Sequence, residues 1–339
     1  MKTAFTHLLV CPECGGELEL RSHQYSSGGE VRAGSLNCPA GHLFEIRDGI
    51  PRFVETNLYA SNFAYEWTLH SDTQLDTGGR IESEAAFVAK TGWGREDLEG
   101  KLVLDVGCGM GRFSDVASRW GATVVGVDLT VAVDSAQLNI GARRNVHLAQ
   151  ADVLRLPFAP NQFDCIFSIG VLHHTPSTRA AFDRLPRLLK PGGRIAVWVY
   201  STSMRRWCWT SDIYRLVTTR LPERLLYRAA HVANPLYQLR RRLERRSSVL
   251  SKLVGVALPV SMHSDPVWRV LDTFDWYSPR YQHKHSPIEV TSWFHAHGLD
   301  DIRVLPFVTA VSGRRPAPAD NKRSVYSSGV GQAPAPERG

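Results

Sequence analysis

Long apolar runs are missing from this 339-residue chain. No stretch of about 18 uncharged apolar residues occurs, which excludes a hydrophobic spanning helix on sequence grounds. Cysteine is scarce, at six residues, so a disulfide scaffold is excluded as well. The apolar stretch near the N-terminus, residues 1–14, is short for a signal peptide and has no small-residue cleavage site, so a cytoplasmic location is expected. Charged residues make up 22% and hydrophobic residues 43%, an ordinary globular balance that excludes disorder for most of the chain. The length accommodates one large domain and a small module.

The formal net charge of +7 is not spread evenly. Residues 201–250 carry 11 basic and 3 acidic residues, a local excess of +8, whereas residues 1–56 sum to −2 and residues 57–99 to −5. The basic character therefore belongs to one segment.

Three of the six cysteines fall early: Cys11-Pro-Glu-Cys14, then Cys38. A C-x2-C pair on a glycine-containing turn sets two thiolates on one metal, and a second turn some distance on completes a tetrahedron. The second turn offers Cys38 and His42 in C-x3-H spacing, with His7 and His23 as weaker fourth candidates. Short strands are expected at 17–21, 31–36 and 43–46, with a turn at 26–29. The set Cys11, Cys14, Cys38 and His42 is therefore expected to hold a structural Zn2+ ion that supplies much of the module's folding energy. Over about residues 8–54 this pattern resembles the zinc-binding N-terminus of the bacterial 23S rRNA guanine-N1 methyltransferases.

Residues 100–200 alternate between apolar strands and helices. Strands are expected at 102–106, 123–128, 146–149, 163–169 and 194–200, with helices to about 120, to about 143 and at 177–190. This alternation implies a parallel sheet with helices on both faces, its ligand beyond the strand C-termini. The loop after the first strand reads Asp105-Val-Gly107-Cys108-Gly109-Met-Gly111-Arg112. A nicotinamide-cofactor fingerprint needs a third glycine where Arg112 stands, so the pattern is D-x-G-x-G-x-G. Asp128 ends the second strand, followed by Leu129, where a carboxylate can accept both ribose hydroxyls. Asp152, followed by Val153, comes after the third strand, where a carboxylate can meet an adenine amino group. Then follow Ile169, Gly170 and Leu-His173-His174, and Pro191-Gly-Gly before the fifth strand.

The glycine loop resembles motif I of the class I S-adenosylmethionine (SAM) methyltransferases. The whole series resembles the type 11-like branch that includes the quinone-pathway C-methyltransferases. The resemblance implies SAM as cofactor, its methionine part held by Asp105 and the Gly107–Gly111 backbone, its sulfonium flanked by Ile169 and Gly170. It implies a Rossmann-like α/β fold with a seven-stranded class I methyltransferase sheet, preceded here by a small β zinc ribbon and interrupted by a helical insertion. Three acids suit a cofactor with a sulfonium and an ammonium better than a diphosphate.

Methyl transfer from a sulfonium needs alignment and exclusion of water, plus a base when the acceptor is a hydroxyl. His173 and His174 open toward the acceptor side and are candidate bases; shaping the pocket wall is their plainer role. A second cluster at 272–285 adds Tyr281, His283 and His285, read either as an acceptor wall or as a packed aromatic loop. A helix from Ser286-Pro287 to about 297 and strands at about 301–306 and 307–312 are expected to complete the sheet.

The expected domains are a zinc-ribbon-like module at 1–56, a helical cap at 57–99, a methyltransferase domain at 100–312 and a disordered tail at 313–339. The cap's Phe63-Ala-Tyr-Glu-Trp67 looks like a large group of uncharacterised bacterial methyltransferases. The insertion at 201–285 reads as a substrate lid with a solvated basic face, or as a contact for anionic lipid or for RNA. The expected activity is methylation of a small-molecule acceptor at oxygen, nitrogen or carbon. The alternatives are an rRNA or tRNA methyltransferase, which the acidic first 99 residues disfavour, and a non-catalytic SAM-binding or zinc-ribbon interaction protein.

Overall fold

A computed structural model describes residues 1–54, 60–76, 79 and 81–317. The first 54 residues form an antiparallel sheet of β1 (Glu19–Tyr25), β2 (Val31–Asn37), β3 (Leu43–Arg47) and β4 (Ile50–Pro51), in sequential order. A 3-10 turn, Thr3–Leu8, precedes it. The strand expected at 17–21 begins two residues later and ends four residues later, because its hairpin with β2 extends through Tyr25 opposite Val31.

This module does not stand apart. Phe5, Leu36, Ile46 and Phe53 share one apolar core with Leu104, Val106 and Val125 of the large sheet. The backbone joins them too: Phe53 donates to the Gln150 carbonyl at 2.8 Å and Val10 to the Pro157 carbonyl at 2.9 Å. The buried Arg52 guanidinium donates to Gln150 Oε1 at 3.1 Å and pairs with Asp134. A module too small for its own core thus borrows one.

Helices α1 (Ser61–Leu69), α2 (Glu82–Thr91) and α3 (Arg95–Leu98) lead into the large sheet. Residues 55–59, 77, 78 and 80, parts of the expected module and cap, lie outside the described residues. The sheet then builds as β5 (Leu102–Val106), α4 (Arg112–Arg119), β6 (Thr123–Asp128), α5 (Ala132–Ile140), β7 (Val146–Gln150), β8 (Phe163–Ile169), α6 (Thr178–Phe182) and β9 (Leu189–Trp198). The insertion follows as α7 (Arg205–Thr218), α8 (Glu223–Ala230), α9 (Ala233–Glu244) and α10 (Ser248–Ala257). Then come α11 (Pro266–Tyr277), α12 (Pro287–Ala296), β10 (Asp300–Val304) and β11 (Ala310–Arg314). Seven strands pair in the order β10-β11-β9-β8-β5-β6-β7. The strands β5 to β9 run parallel, and β11 pairs antiparallel to β9. This is the Rossmann-like methyltransferase sheet. Val103, Leu104 and Val106 are at most 1% exposed, as expected of parallel strands covered on both faces. Each such side chain contributes roughly 1.5–3 kcal/mol of burial.

Several expected boundaries move. The helix at 177–190 is only α6, followed by the 3-10 turn Pro186–Leu188; Pro186 has no N–H to continue an α-helix. The strand expected from 194 begins at Leu189 and ends at Trp198, with Pro191-Gly-Gly inside it as a bulge: the register on β8 jumps from Phe163 opposite Leu189 to Cys165 opposite Arg194. The first part of the 272–285 cluster lies on α11, which is capped by Asp265, whose carboxylate accepts from Val267 N and Trp268 N at 2.8 and 3.0 Å, with Pro266 at the first helical position. Pro222 caps α8 and Pro235 lies in the first turn of α9, so helix boundaries fall beside both prolines. Strand β11 continues to Arg314, past the tail boundary expected at 313; residues 318–339 of that tail lie outside the described residues.

Candidate active site

A cavity of about 470 Å³ opens beyond the C-terminal ends of β5, β6 and β8. The loop after β5 forms its floor. Gly107 sits at φ +83°, and a Cβ there would lie 2.3 Å from Val171 Cγ2. Only glycine fits that conformation and that gap. Gly111 begins α4 at φ +94°, where a Cβ would fall 2.8 Å from Ile140 Cδ1, so its place is the α4–α5 contact and not the cavity lining.

Asp128 is held at the rim. Its Oδ2 accepts from Gly109 N at 2.9 Å, and its Oδ1 accepts from Thr130 N and Thr130 Oγ1 at 2.9 and 2.8 Å. Burial raises its carboxyl above the usual range against these bonds. Asp105 lies beneath the loop. Burial pushes it up to about 7, and the Ser114 hydroxyl, donating at 2.7 Å, partly offsets that. Asp152 caps the 3-10 turn Val153–Arg155, accepting from Leu154 N at 2.9 Å, while its neighbours Ala151 and Val153 line the cavity. Gly107, Cys108, Gly109, Asp128, Leu129, Val153, Ile169 and Gly170 thus share one cavity; Asp105, Gly111 and Asp152 support its wall from behind.

The five expected acid–base candidates separate. His174 lines the cavity, and its Nδ1 donates to the Tyr281 carbonyl at 2.9 Å, which leaves Nε2 as the lone-pair nitrogen. Burial pushes its imidazole down to about 3, so it is neutral at pH 7. His173 is wholly buried, stacks on Tyr200 with ring centroids 4.0 Å apart, and has no hydrogen-bond partner at either nitrogen. Burial holds it well below the usual range, so it is a packed neutral ring. His285 is bound between Glu289 Oε1 at 2.8 Å and Thr178 Oγ1 at 2.9 Å. The structure does not bring Tyr281, His283 or His285 to the cavity lining; the strap from Tyr281 to His285 crosses behind it, with His283 N donating to the His173 carbonyl.

Other residues occupy the wall that these were expected to form. Phe63 and Trp67 from α1, Trp198 and Tyr200 around the end of β9, and Trp276 from α11 enclose the side facing His174. Asp272 and Asp275 project from α11 into the same space. Behind them Glu66 of α1 is 0% exposed. Burial, then repulsion from Asp275, holds Glu66 well above the usual carboxylate range, and burial pushes Asp275 up to about 6. Lys90 of α2 rests its ammonium 4.0 Å from the Trp198 ring centroid, and burial pushes it down to about 7. Glu66 and Lys90 carried no sequence signal beyond lying in the expected helical cap. Asp272 and Asp275 were visible only as members of the 272–285 cluster.

In the N-terminal sheet Cys11, Cys14, Cys38 and His42 place their ligand atoms within 4.8 Å of one another. Cys14 and Cys38 sulfurs are 3.7 Å apart, and His42 Nδ1 lies 3.5 Å from Cys11 Sγ and 3.2 Å from Cys38 Sγ. A tetrahedron with Zn–S near 2.3 Å and Zn–N near 2.0 Å has edges of roughly 3.5–3.8 Å. The donor set and spacing fit such an ion. The turns that carry them are closed by Cys11 N to the Gly16 carbonyl and Cys38 N to the His42 carbonyl.

The fold and the cavity define a class I methyltransferase architecture, and comparison with known proteins agrees. Residues 104–197 match the family model described as a methyltransferase domain. The chain is 34% identical over 161 residues to phosphoethanolamine N-methyltransferase 3 of Arabidopsis thaliana, covering 46% of this chain and 31% of that protein. It is 35% identical over 123 residues to a ubiquinone biosynthesis O-methyltransferase of Paracidovorax citrulli, covering 34% and 50%. Among solved structures, phosphoethanolamine N-methyltransferase 2 of Haemonchus contortus in complex with S-adenosyl-L-methionine is 29% identical, covering 44% of this chain and 36% of that one, with a TM-score of 0.33. The chain thus spans a third to a half of the length of the curated relatives it matches. Residues 104–197 thus form a methyltransferase domain.

Proposed function

We propose that the protein transfers the methyl group of SAM to a small-molecule acceptor bound in the aromatic half of the cavity. The observation that carries this is one cavity joining the Gly107–Gly109 loop and Asp128 to an enclosed wall of Phe63, His174, Trp198, Tyr200 and Trp276. In this reading Asp128 accepts from the ribose hydroxyls, Val153 packs on the adenine, and Ile169 and Gly170 flank the sulfonium. Asp105 and Asp152 hold the loops that do this. The cofactor supplies the activated methyl; the chain aligns the acceptor's lone pair with it and keeps water out. His174, held down to about 3 by burial, is a weak base, so in this reading it shapes the wall beside the acceptor. The Cys11, Cys14, Cys38 and His42 set is proposed to hold a structural Zn2+ with no open position.

The test is label partition. Purified protein is incubated with methyl-labelled SAM and an extract of its host lacking the gene, and a Gly109→Arg, Asp152→Ala double variant is the blank. Label in the small-molecule or lipid fraction supports the proposal. Label in nuclease-sensitive RNA, or none in any fraction, refutes it.

The insertion supports a second, peripheral reading. It exposes Trp209, Ile213, Leu216, Val217 and Leu253 beside the exposed Arg241, Arg242, Arg245 and Arg246. Apolar side chains among arginines suit an anionic lipid surface. Co-sedimentation with phosphatidylglycerol vesicles but not with phosphatidylcholine vesicles supports it; sedimentation with neither removes it. Among the described residues no helix is long and apolar enough to cross a membrane.

A further inference from the structure

The wall of the cavity formed by α1 and α11 holds three carboxyl groups, and they are not equivalent. Asp272 is matched: it accepts from Ser261 Oγ at 3.0 Å, and the charges of His263, Arg112 and Lys90 face it. Arg112 itself is fixed by Gln74 Oε1 and Ser83 Oγ at 3.2 and 3.0 Å. Glu66 and Asp275 are not matched. Beyond each other's carboxyl, neither Glu66 nor Asp275 Oδ1 has a hydrogen-bond partner, and Glu66 is 0% exposed. The charged groups that face them are each other and Asp272. No salt bridge reaches either residue among the described residues.

Buried carboxyl groups are almost always hydrogen-bonded or paired, because burying them alone is costly. Here Asp275, with Glu66 behind it, lines a cavity beside Phe63, Trp198, Tyr200 and Trp276, while the two cations that also line it, Lys90 and Arg112, face Asp272. Aromatic rings attract cations, and the Trp198 ring already carries the Lys90 ammonium 4.0 Å from its centroid. Acid and aromatic surface together complement a positively charged group and repel an anion.

Resting on the proposed methyl transfer, we propose that the acceptor is an amine that enters as its ammonium form, pairs with Asp275 and Glu66, and is methylated on nitrogen. The ammonium R–NH3+ gives one proton to the carboxylate of the pair. The freed lone pair of R–NH2 attacks the methyl carbon, the carbon–sulfur bond breaks with its electrons going to sulfur, and R–NH2CH3+ and S-adenosylhomocysteine result. The carboxyl proton then leaves to water. The pair therefore both selects the cation and removes the proton that would block attack. Asp275, which lines the cavity, is the contact group; Glu66 acts through it as a positioning residue.

The test uses the full chain saturated with S-adenosylhomocysteine, at pH 7, with two probes of similar shape: benzylamine, which is protonated, and benzyl alcohol, which is neutral. Quenching of tryptophan fluorescence reports binding. Benzylamine is expected to bind about ten-fold more tightly than the alcohol, and the Glu66→Gln, Asp275→Asn double variant is expected to lose that preference. S-Adenosylhomocysteine affinity should stay within about two-fold in the variant. Equal affinity for the two probes in the unmodified protein, which needs no variant to fold, overturns the proposal. So does loss of S-adenosylhomocysteine binding in the variant, which would assign the pair to the cofactor's own ammonium. A chain that binds no S-adenosylhomocysteine at all would instead overturn the proposed function.

Discussion

At the scale of single residues, Glu66 and Asp275 carry an electrostatic cost that no opposite charge offsets. The Asp275 carboxyl is raised from its ordinary range to about 6, with burial the main cause. A carboxyl whose folded pKa is raised contributes stability that is fully present below its unfolded value and is lost as pH rises through its folded value. Stability should therefore fall between about pH 4 and pH 6, by on the order of 2–3 kcal/mol if this group alone set the slope. Asp275→Asn should flatten that fall, and denaturant titrations at pH 4 and pH 7 check it. A variant with the same slope as the unmodified protein would contradict the assignment. None of this was legible beforehand. Glu66 sits in the aromatic stretch Phe63–Trp67 of the expected cap, where nothing local marks it as buried. The glycine loop, Asp128 and the Cys-His set were legible because each is read from local spacing, which does not depend on distant packing.

At the scale of elements, Gly111 shows how far local sequence governs packing. Its φ of +94° and the 2.8 Å approach to Ile140 leave no room for a methyl group. Gly111→Ala should destabilise the protein by about 2–4 kcal/mol, through backbone strain and overpacking together. Denaturant midpoints measure this, and an unchanged midpoint would mean that α4 and α5 can slide apart freely. The strands β5, β6 and β8 fell where their apolar runs ended, since strands buried on both faces announce themselves. Two elements did not. Pro191-Gly-Gly carries a strong stop signal, yet the strand absorbs it as a bulge because β8 supplies pairing on both sides. The cluster at 272–285 read as an acceptor wall or a packed aromatic loop, yet its first six residues are the end of a helix, Pro266–Tyr277. The Asp265-Pro266 start of that helix is a cap, and the acids that matter are one turn apart on it.

At the scale of the whole molecule, the N-terminal sheet and the large sheet are one body. Their shared core, the Phe53–Gln150 backbone bond and the Arg52–Asp134 pair cross the boundary that composition alone suggested. Removing a metal from the Cys11, Cys14, Cys38 and His42 set should therefore lower one common unfolding transition and not create a second. Calorimetry with and without a strong chelator checks this. Two separate transitions would show that the module folds alone, and an unchanged transition would count against a structural metal. Shared cores between distant segments leave no periodicity in the sequence, which is why the module read as independent.

The account rests on the cavity beyond β5 and β6 being the cofactor site. Calorimetric titration of SAM into the full chain and into an Asp128→Asn variant measures that directly. The account predicts one site per chain, weakened about ten-fold or more in the variant as the ribose loses its charged acceptor, with the fold retained by circular dichroism. Absence of binding, or equal binding by the two proteins, would contradict it.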